Sequence, residues 1–194
     1  MRVWTIHKCE THNLKIILGE TMILISLKRV DNPVHSPIKL DLIKTYLKID
    51  NDIEDQLLLT LIAAAINQCE ECTGLALSKT QWDVTYKVFH DVNEIILPRK
   101  PVASILSVYG YYYNGEKSEI DKKLYYLFEN RLTFKQSLSF TKLSINFEAG
   151  YDNDEVPADI KAILLEHIAD MYEKRNLHSN FPIKKYRKFR GIKL

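Results

Sequence analysis

The hydrophobic period of this chain changes twice, and that change bounds what it can fold into. From Ile38 to Gly74, and again from Val156 to Arg175, apolar residues recur every three or four positions, as on one face of a helix. Between them Trp82, Val84, Tyr86 and Val88 alternate with Gln81, Asp83, Thr85 and Lys87, the pattern of a strand with one wet face. Helices bracketing a β-rich middle predict an α+β fold: a helical bundle of three main helices with a small antiparallel β domain inserted between the second and third.

The helical stretches carry their own punctuation. A β-branched and aliphatic run from Met22 to Val30 reads as a short strand, interrupted by Pro33 and Pro37 before a first helix over 40–48. Asp50, Asn51 and Asp52 offer capping side chains to a second helix over 53–72, with Glu54 and Asp55 suited to its first turn. Along that helix Ile53, Leu57, Leu61, Ala64 and Ala65 form one stripe, and Leu58, Ile62, Ala65 and Cys69 an adjoining one. An apolar surface this wide is expected to be buried on two sides, which makes Leu58, Ile62 and Ala65 candidates for contact with a neighbouring subunit. Gly74 fits the left-handed residue after the helix end. A third helix over 157–176 opens at Pro157, with Asp159 at the positive end of its dipole and Ile160, Ile163, Leu164, His167, Ile168, Met171 and Tyr172 on one face.

The β insert spans about 80–149. Runs at 95–97, 105–113, 124–128, 132–134 and 143–147 join the alternating segment in a sheet of about five or six strands. Asn114-Gly115 marks a hairpin, because both residues tolerate positive φ. Tyr109, Tyr111, Tyr112 and Tyr113 precede that turn, and alternate tyrosines must point to opposite sheet faces; Tyr111 and Tyr113 are therefore further interface candidates.

A chain of 194 residues with 46% hydrophobic content can bury one sizeable core, so residues 22–181 are read as a single domain. No apolar run reaches the roughly 18 residues of a membrane span, and 14–27 is broken by Gly19, Glu20 and Thr21. A soluble chain without membrane contact is expected. Residues 1–21 lack the order of a signal peptide and show no clean period, so they are read as a non-native or disordered leader. Gly19-Glu20 is what a ribosome-binding sequence would encode just ahead of a start at Met22. Three cysteines and no export signal fit a reducing compartment without disulfides.

Charge is unevenly placed. Net charge is +2, yet Lys174, Arg175, Lys184, Lys185, Arg187, Lys188, Arg190 and Lys193 fall in the last 21 residues, which hold no acid; removing those eight leaves the other 173 at −6. The basic tail, 182–194, carries Lys184, Lys185, Tyr186, Arg187, Lys188, Phe189 and Arg190, two aromatics among five cations, and is the best docking candidate by composition.

Reactive constellations are harder to find. Cys69-Glu70-Glu71-Cys72 has redox or zinc spacing but sits at a helix end, where neither dipole nor glutamates lower a thiol pKa; two ordinary helix cysteines explain it better. The acidic runs at 50–55 and 152–155 lack the glycine and the distal glutamate of a calcium loop and read as helix-start acids. His167 lies on an apolar helix face without a nucleophile to serve, so a hydrogen-bonded core or interface histidine is expected. No G-x-S-x-G, P-loop or dinucleotide glycine pattern occurs. No catalytic residue, metal or cofactor is assigned.

The order of the pieces is itself informative. Pro37 to Asp50, the acidic start and Ala-rich middle of the next helix, Glu71-Cys72-Thr73-Gly74, Gln81-Trp82, Leu97-Pro98-Arg99-Lys100-Pro101-Val102, Phe147-Glu148-Ala149-Gly150-Tyr151, Val156-Pro157 and Tyr172-Glu173-Lys174-Arg175 together resemble the head-to-tail connector (portal adaptor) family of long-tailed double-stranded DNA bacteriophages and prophages, over residues 33–190. The resemblance implies a non-enzymatic virion protein at the head-tail junction, assembled from the host cytoplasm into a ring, usually twelvefold, beneath the portal. Such a ring extends a channel for double-stranded DNA, contacted without sequence specificity, and presents a platform for a stopper or tail-completion protein. The family's Tyr-Arg motif near the C-terminus is matched by Tyr186-Arg187, and the tail is expected to reach the portal. The extra leader and the Lys-rich, Tyr-rich composition depart from the family pattern. Two other readings remain open: another virion part such as a stopper or tail-completion protein, and a small nucleic-acid-binding regulator using the basic tail.

Overall fold

In the computed structural model, which describes residues 22–33, 35–152, 155–175 and 184–190, strand Met22–Arg29 (β1) leads to helices Leu40–Leu47 (α1) and Asp55–Thr73 (α2). Seven strands follow: Thr80–Val88 (β2), Val92–Ile96 (β3), Val102–Tyr111 (β4), Lys117–Glu119 (β5), Tyr125–Phe128 (β6), Arg131–Leu138 (β7) and Lys142–Ala149 (β8). Helices Ala158–Lys174 (α3) and Lys184–Arg187 (α4) close the chain. Helices and antiparallel sheets thus occupy separate stretches, the α+β class that the change of period predicts. The reading of 1–21, with its start at Met22, lies outside the described residues, as does the boundary expected near 181.

Where the period is two, the structure alternates. Trp82, Val84, Tyr86 and Val88 are buried, while Lys87 is exposed. The strands form two sheets, ordered β1-β2-β8-β4-β5 and β3-β7-β6, and not the one sheet of about five or six strands expected. Two long-range choices explain the difference. The strand ahead of the helices, β1, pairs antiparallel with β2 across the whole helical segment, from Met22 opposite Val88 to Arg29 opposite Trp82. Meanwhile β3, β6 and β7 pair among themselves. Their inner faces meet in one apolar cluster that includes Val84, Ile145 and Phe147 from the first sheet and Ile95, Leu132 and Phe134 from the second.

A second apolar cluster fills the space among the helices, with Ile43 from α1, Leu61 from α2, Leu164 and Ile168 from α3, and Tyr186 from α4. It corrects the expected subunit interface on α2. Leu58, Ile62 and Ala65 are buried in this cluster within the chain itself, covered by α3 and α4, and present nothing to a neighbour. Conversely Ile53 and Leu57, in the adjoining stripe of the surface expected to be buried on two sides, are 88% and 41% exposed. The apolar side of α2 that the other helices cover carries Leu58, Leu61, Ile62 and Ala65, and Leu57 lies off it.

The ends of α2 divide in the same way. Gly74 adopts φ +73° and donates its N–H to the Glu70 carbonyl at 2.9 Å, the left-handed cap expected of it. At the other end the cap residue is Glu54, with no side-chain cap bond. Asn51 Oδ1 instead accepts the Ile53 N–H at 3.1 Å, and Asp52 turns to Lys44. The hairpin expected at Asn114-Gly115 joins β4 to β5, with Gly115 at φ +83° and its N–H donated to the Tyr112 carbonyl at 3.0 Å.

Candidate functional site

The most deeply buried charge belongs to the Cys69-Glu70-Glu71-Cys72 run. Glu70, 3% exposed, accepts hydrogen bonds from Arg29 Nη2 and, at 2.7 Å, from the Leu77 N–H. Its own carbonyl accepts Arg99 Nη1 at 2.6 Å. Both guanidinium groups lie over the Trp82 ring, 4.8 and 4.9 Å from its centroid. One carboxylate and two arginines thereby tie α2 to β1, β2 and the segment after β3. The Arg29–Glu70 charge pair is thus placed where the helical and β clusters meet.

The flanking thiols are free and lie inside the fold. Cys69 and Cys72 are buried, and burial, then the charge of Glu70, pushes the Cys69 thiol up to about 12. Among the described residues no group of three His, Cys, Asp or Glu side chains is placed to hold a metal ion. In the first acidic run Lys44 Nζ bonds Asp52 and, at 2.8 Å, Asp55, so the carboxylates pin α1 to α2. Those bonds raise the Lys44 pKa and lower that of Asp52. In the second run Asp152 pairs with Lys79 at 3.4 Å, and residues 153–154 lie outside the described residues. His167 Nδ1 sits 2.9 Å from the Tyr186 hydroxyl, and burial lowers its pKa to about 4, so the ring is a neutral core group at pH 7.

The C-terminal segment corrects the expected docking arm. Residues 184–190 lie down on the helices: Tyr186 is 1% exposed, Phe189 packs against the helical cluster, and Arg190 Nε donates to the Cys72 carbonyl at 2.7 Å. Lys185 pairs with Glu166 and Lys188 with Asp159. The acids of α3 thus absorb much of the positive charge, and Tyr186 is unavailable as an anchor for a partner. Lys184 and Arg187 are exposed and make no ion pair among the described residues.

The tyrosine-rich strand holds a feature that reading along the chain missed. Lys117 Nζ from β5 lies 3.8 Å from the Tyr109 ring centroid, and Lys142 Nζ from β8 lies 4.6 Å from that of Tyr111. Tyr112 packs on Phe140 with centroids 5.0 Å apart, and Tyr113 is 87% exposed. No lysine interrupts β4, so only the cross-strand register reveals the cations.

Two open concavities have about 130 Å³, beside His35, Lys79 and Asp152, and about 260 Å³, between Leu75, Pro101, Tyr151 and Phe189. Both fall below the roughly 300 Å³ at which small-molecule sites begin. No helix among the described residues is long and apolar enough to cross a membrane. These residues offer buried joints inside the chain and an exposed surface of charged and apolar side chains.

Residues 37–141, more than half of the chain, match the model of the phage gp6-like head-tail connector protein family, and the chain belongs to that family. Its fold is similar to that of chains from solved structures of gene transfer agent (GTA) particles. One comes from the neck of an empty GTA particle computed with C6 symmetry, with TM-score 0.73 and 19% identity, covering 88% of this chain and 97% of that one. Another, from the virion of a native particle, gives 0.71 at 18% identity with the same coverage. A third, from the neck of a native particle computed with C12 symmetry, gives 0.68 at 18% identity, again covering 88% and 97%. No curated protein matches the chain.

Proposed function

We propose that this chain is a non-catalytic subunit of a ring at the head-tail junction of a phage or phage-derived virion, seated beneath the portal and presenting a platform to a stopper or tail-completion protein. The carrying observation is the family match over 37–141. The fold likeness adds support, since chains of the same fold belong to necks computed with C6 and C12 symmetry. A twelvefold ring is the corresponding expectation here, with the helices as a bundle and the two sheets as an inserted β domain.

A closed ring needs two different complementary patches on each subunit. The exposed apolar residues Leu42 and Tyr46 on α1, Ile53 in the turn before α2 and Leu57 in its first turn supply one such patch, replacing the buried Leu58, Ile62 and Ala65. The exposed Tyr113 at the tip of the β4–β5 hairpin is a candidate for a second contact. Lys184 and Arg187 are the tail cations still open to the portal.

The test is genetic and visual. A phage or prophage carrying this gene with an early stop codon should produce heads that package DNA but bear no tail in electron micrographs, with tails accumulating separately. Tailed, infectious particles from that mutant would remove the connector role.

A further inference from the structure

The register of the five-stranded sheet aligns four residues in one transverse row. Lys87 in β2 stands opposite Lys142 in β8, Lys142 opposite Tyr111 in β4, and Tyr111 opposite Lys117 in β5. Residues directly opposite across a ladder share a face. Their sequence neighbours Tyr86, Val88, Leu143 and Gly110 are buried, so the row lies on the outer face. With strands about 4.8 Å apart, it spans roughly 14 Å from Lys87 to Lys117.

The charge of this row is not consumed by the fold. None of the three lysines forms an ion pair among the described residues, in contrast to Lys44, Lys79, Lys185 and Lys188. The nearby carboxylates are engaged elsewhere or leave the row unpaired: Asp83 accepts from Ser144, Glu116 accepts from Asn114, and Glu119 makes no ion pair with Lys117. Two of the ammonium groups rest on tyrosine rings instead, Lys117 on Tyr109 and Lys142 on Tyr111, which orders long side chains without neutralising them. This occurs on a chain whose first 173 residues carry −6, a net sign that makes an unneutralised cationic row stand out.

We infer that this row is a contact surface for the phosphate backbone of double-stranded DNA, binding it weakly and without regard to sequence; the inference rests on the connector reading, which brings a duplex to the ring. Duplex DNA carries one negative charge per roughly 1.7 Å of axis, so a 14 Å row always faces several phosphates whatever the register. Three lysines without base-reading groups give contact that slides.

The experiment measures fluorescence anisotropy of the full chain with a fluorescein-labelled duplex of mixed sequence over a salt series. Wild type is compared with Lys87→Gln/Lys117→Gln/Lys142→Gln and with Lys184→Gln/Arg187→Gln, each checked for native circular dichroism. The row variant should bind about tenfold more weakly at low salt, with the slope of log affinity against log salt reduced by roughly 0.9 per lysine removed. The tail variant should keep most of the wild-type slope. No detectable wild-type binding, an unchanged row variant, or loss of binding only in the tail variant each overturn the inference. A parallel assay of ring formation on purified portal separates the two claims. If the row variant fails to assemble, the lysines face an acidic protein surface and the DNA contact is wrong while the connector reading stands; if wild type itself never joins the portal, the connector reading falls.

Discussion

The Tyr186 hydroxyl lies 2.9 Å from His167 Nδ1, and both side chains are at most 1% exposed. This contact staples the C-terminal segment to the middle of α3. Losing the hydroxyl leaves a buried ring nitrogen without that partner, so Tyr186→Phe should lower unfolding free energy by about 1–2 kcal/mol. Tyr186→Ala, which also opens a cavity, should lower it by roughly 3–5 kcal/mol. Urea titration checks both. If Tyr186→Ala behaves like wild type, the segment is not docked as described.

The same pair makes stability depend on pH. Burial lowers the His167 pKa from 6.5 to about 4, so the folded state prefers the neutral ring. The stabilisation is fully present above pH 6.5 and is lost as pH falls toward 4, where the unfolded chain binds the proton that the folded chain refuses. The full effect is of order 3 kcal/mol. A His167→Gln variant should therefore lose less stability than wild type between those two values in urea titrations, and parallel curves would contradict the assignment.

Glu70 organises the joint between the two apolar clusters. Glu70→Gln keeps the shape but leaves Arg29 partly buried without its counter-charge, which should destabilise the fold by about 3–5 kcal/mol. Because Trp82 lies under both arginines, its emission should shift in the same variant before global unfolding. An unchanged spectrum and midpoint would show the joint to be dispensable.

The thiols offer a chemical check on the packing. With Cys69 held near 12 by burial and Cys72 also buried, a Cys9→Ser variant should not react with a thiol reagent at pH 8 until denaturant is added. Labelling of the native protein within minutes would place at least one of the two at the surface.

Much of this architecture was legible because it is local. The helix over 53–72 was expected and runs Asp55–Thr73; Gly74 caps it; the alternation around Trp82 is β2. What escaped depended on partners far away in sequence. The pairing of β1 with β2 and the split into two sheets arise from contacts across the helical segment. Tyr186 read as surface because five cations surround it, although two of them, Lys185 and Lys188, meet acids of α3, Arg190 bonds the Cys72 carbonyl, and the ring is left to the core. Leu57 and Leu58 belong to adjoining stripes of equal hydrophobicity, and only the position of α3 and α4 decides which is buried.

That decision gives a paired test of the ring contact. Leu58→Ala should cost about 2–5 kcal/mol of monomer stability, since it hollows the core. Ile53→Asp/Leu57→Asp should leave the monomer's thermal midpoint close to wild type while abolishing ring formation on the portal. The reverse pattern would return the interface to the buried stripe.

The most direct measurement is native mass spectrometry of the purified chain mixed with its portal. A discrete complex carrying twelve copies of this chain per portal ring is expected, and no such complex with the Ile53→Asp/Leu57→Asp protein. A chain that stays monomeric beside an intact portal, or binds it at one copy, would contradict that expectation.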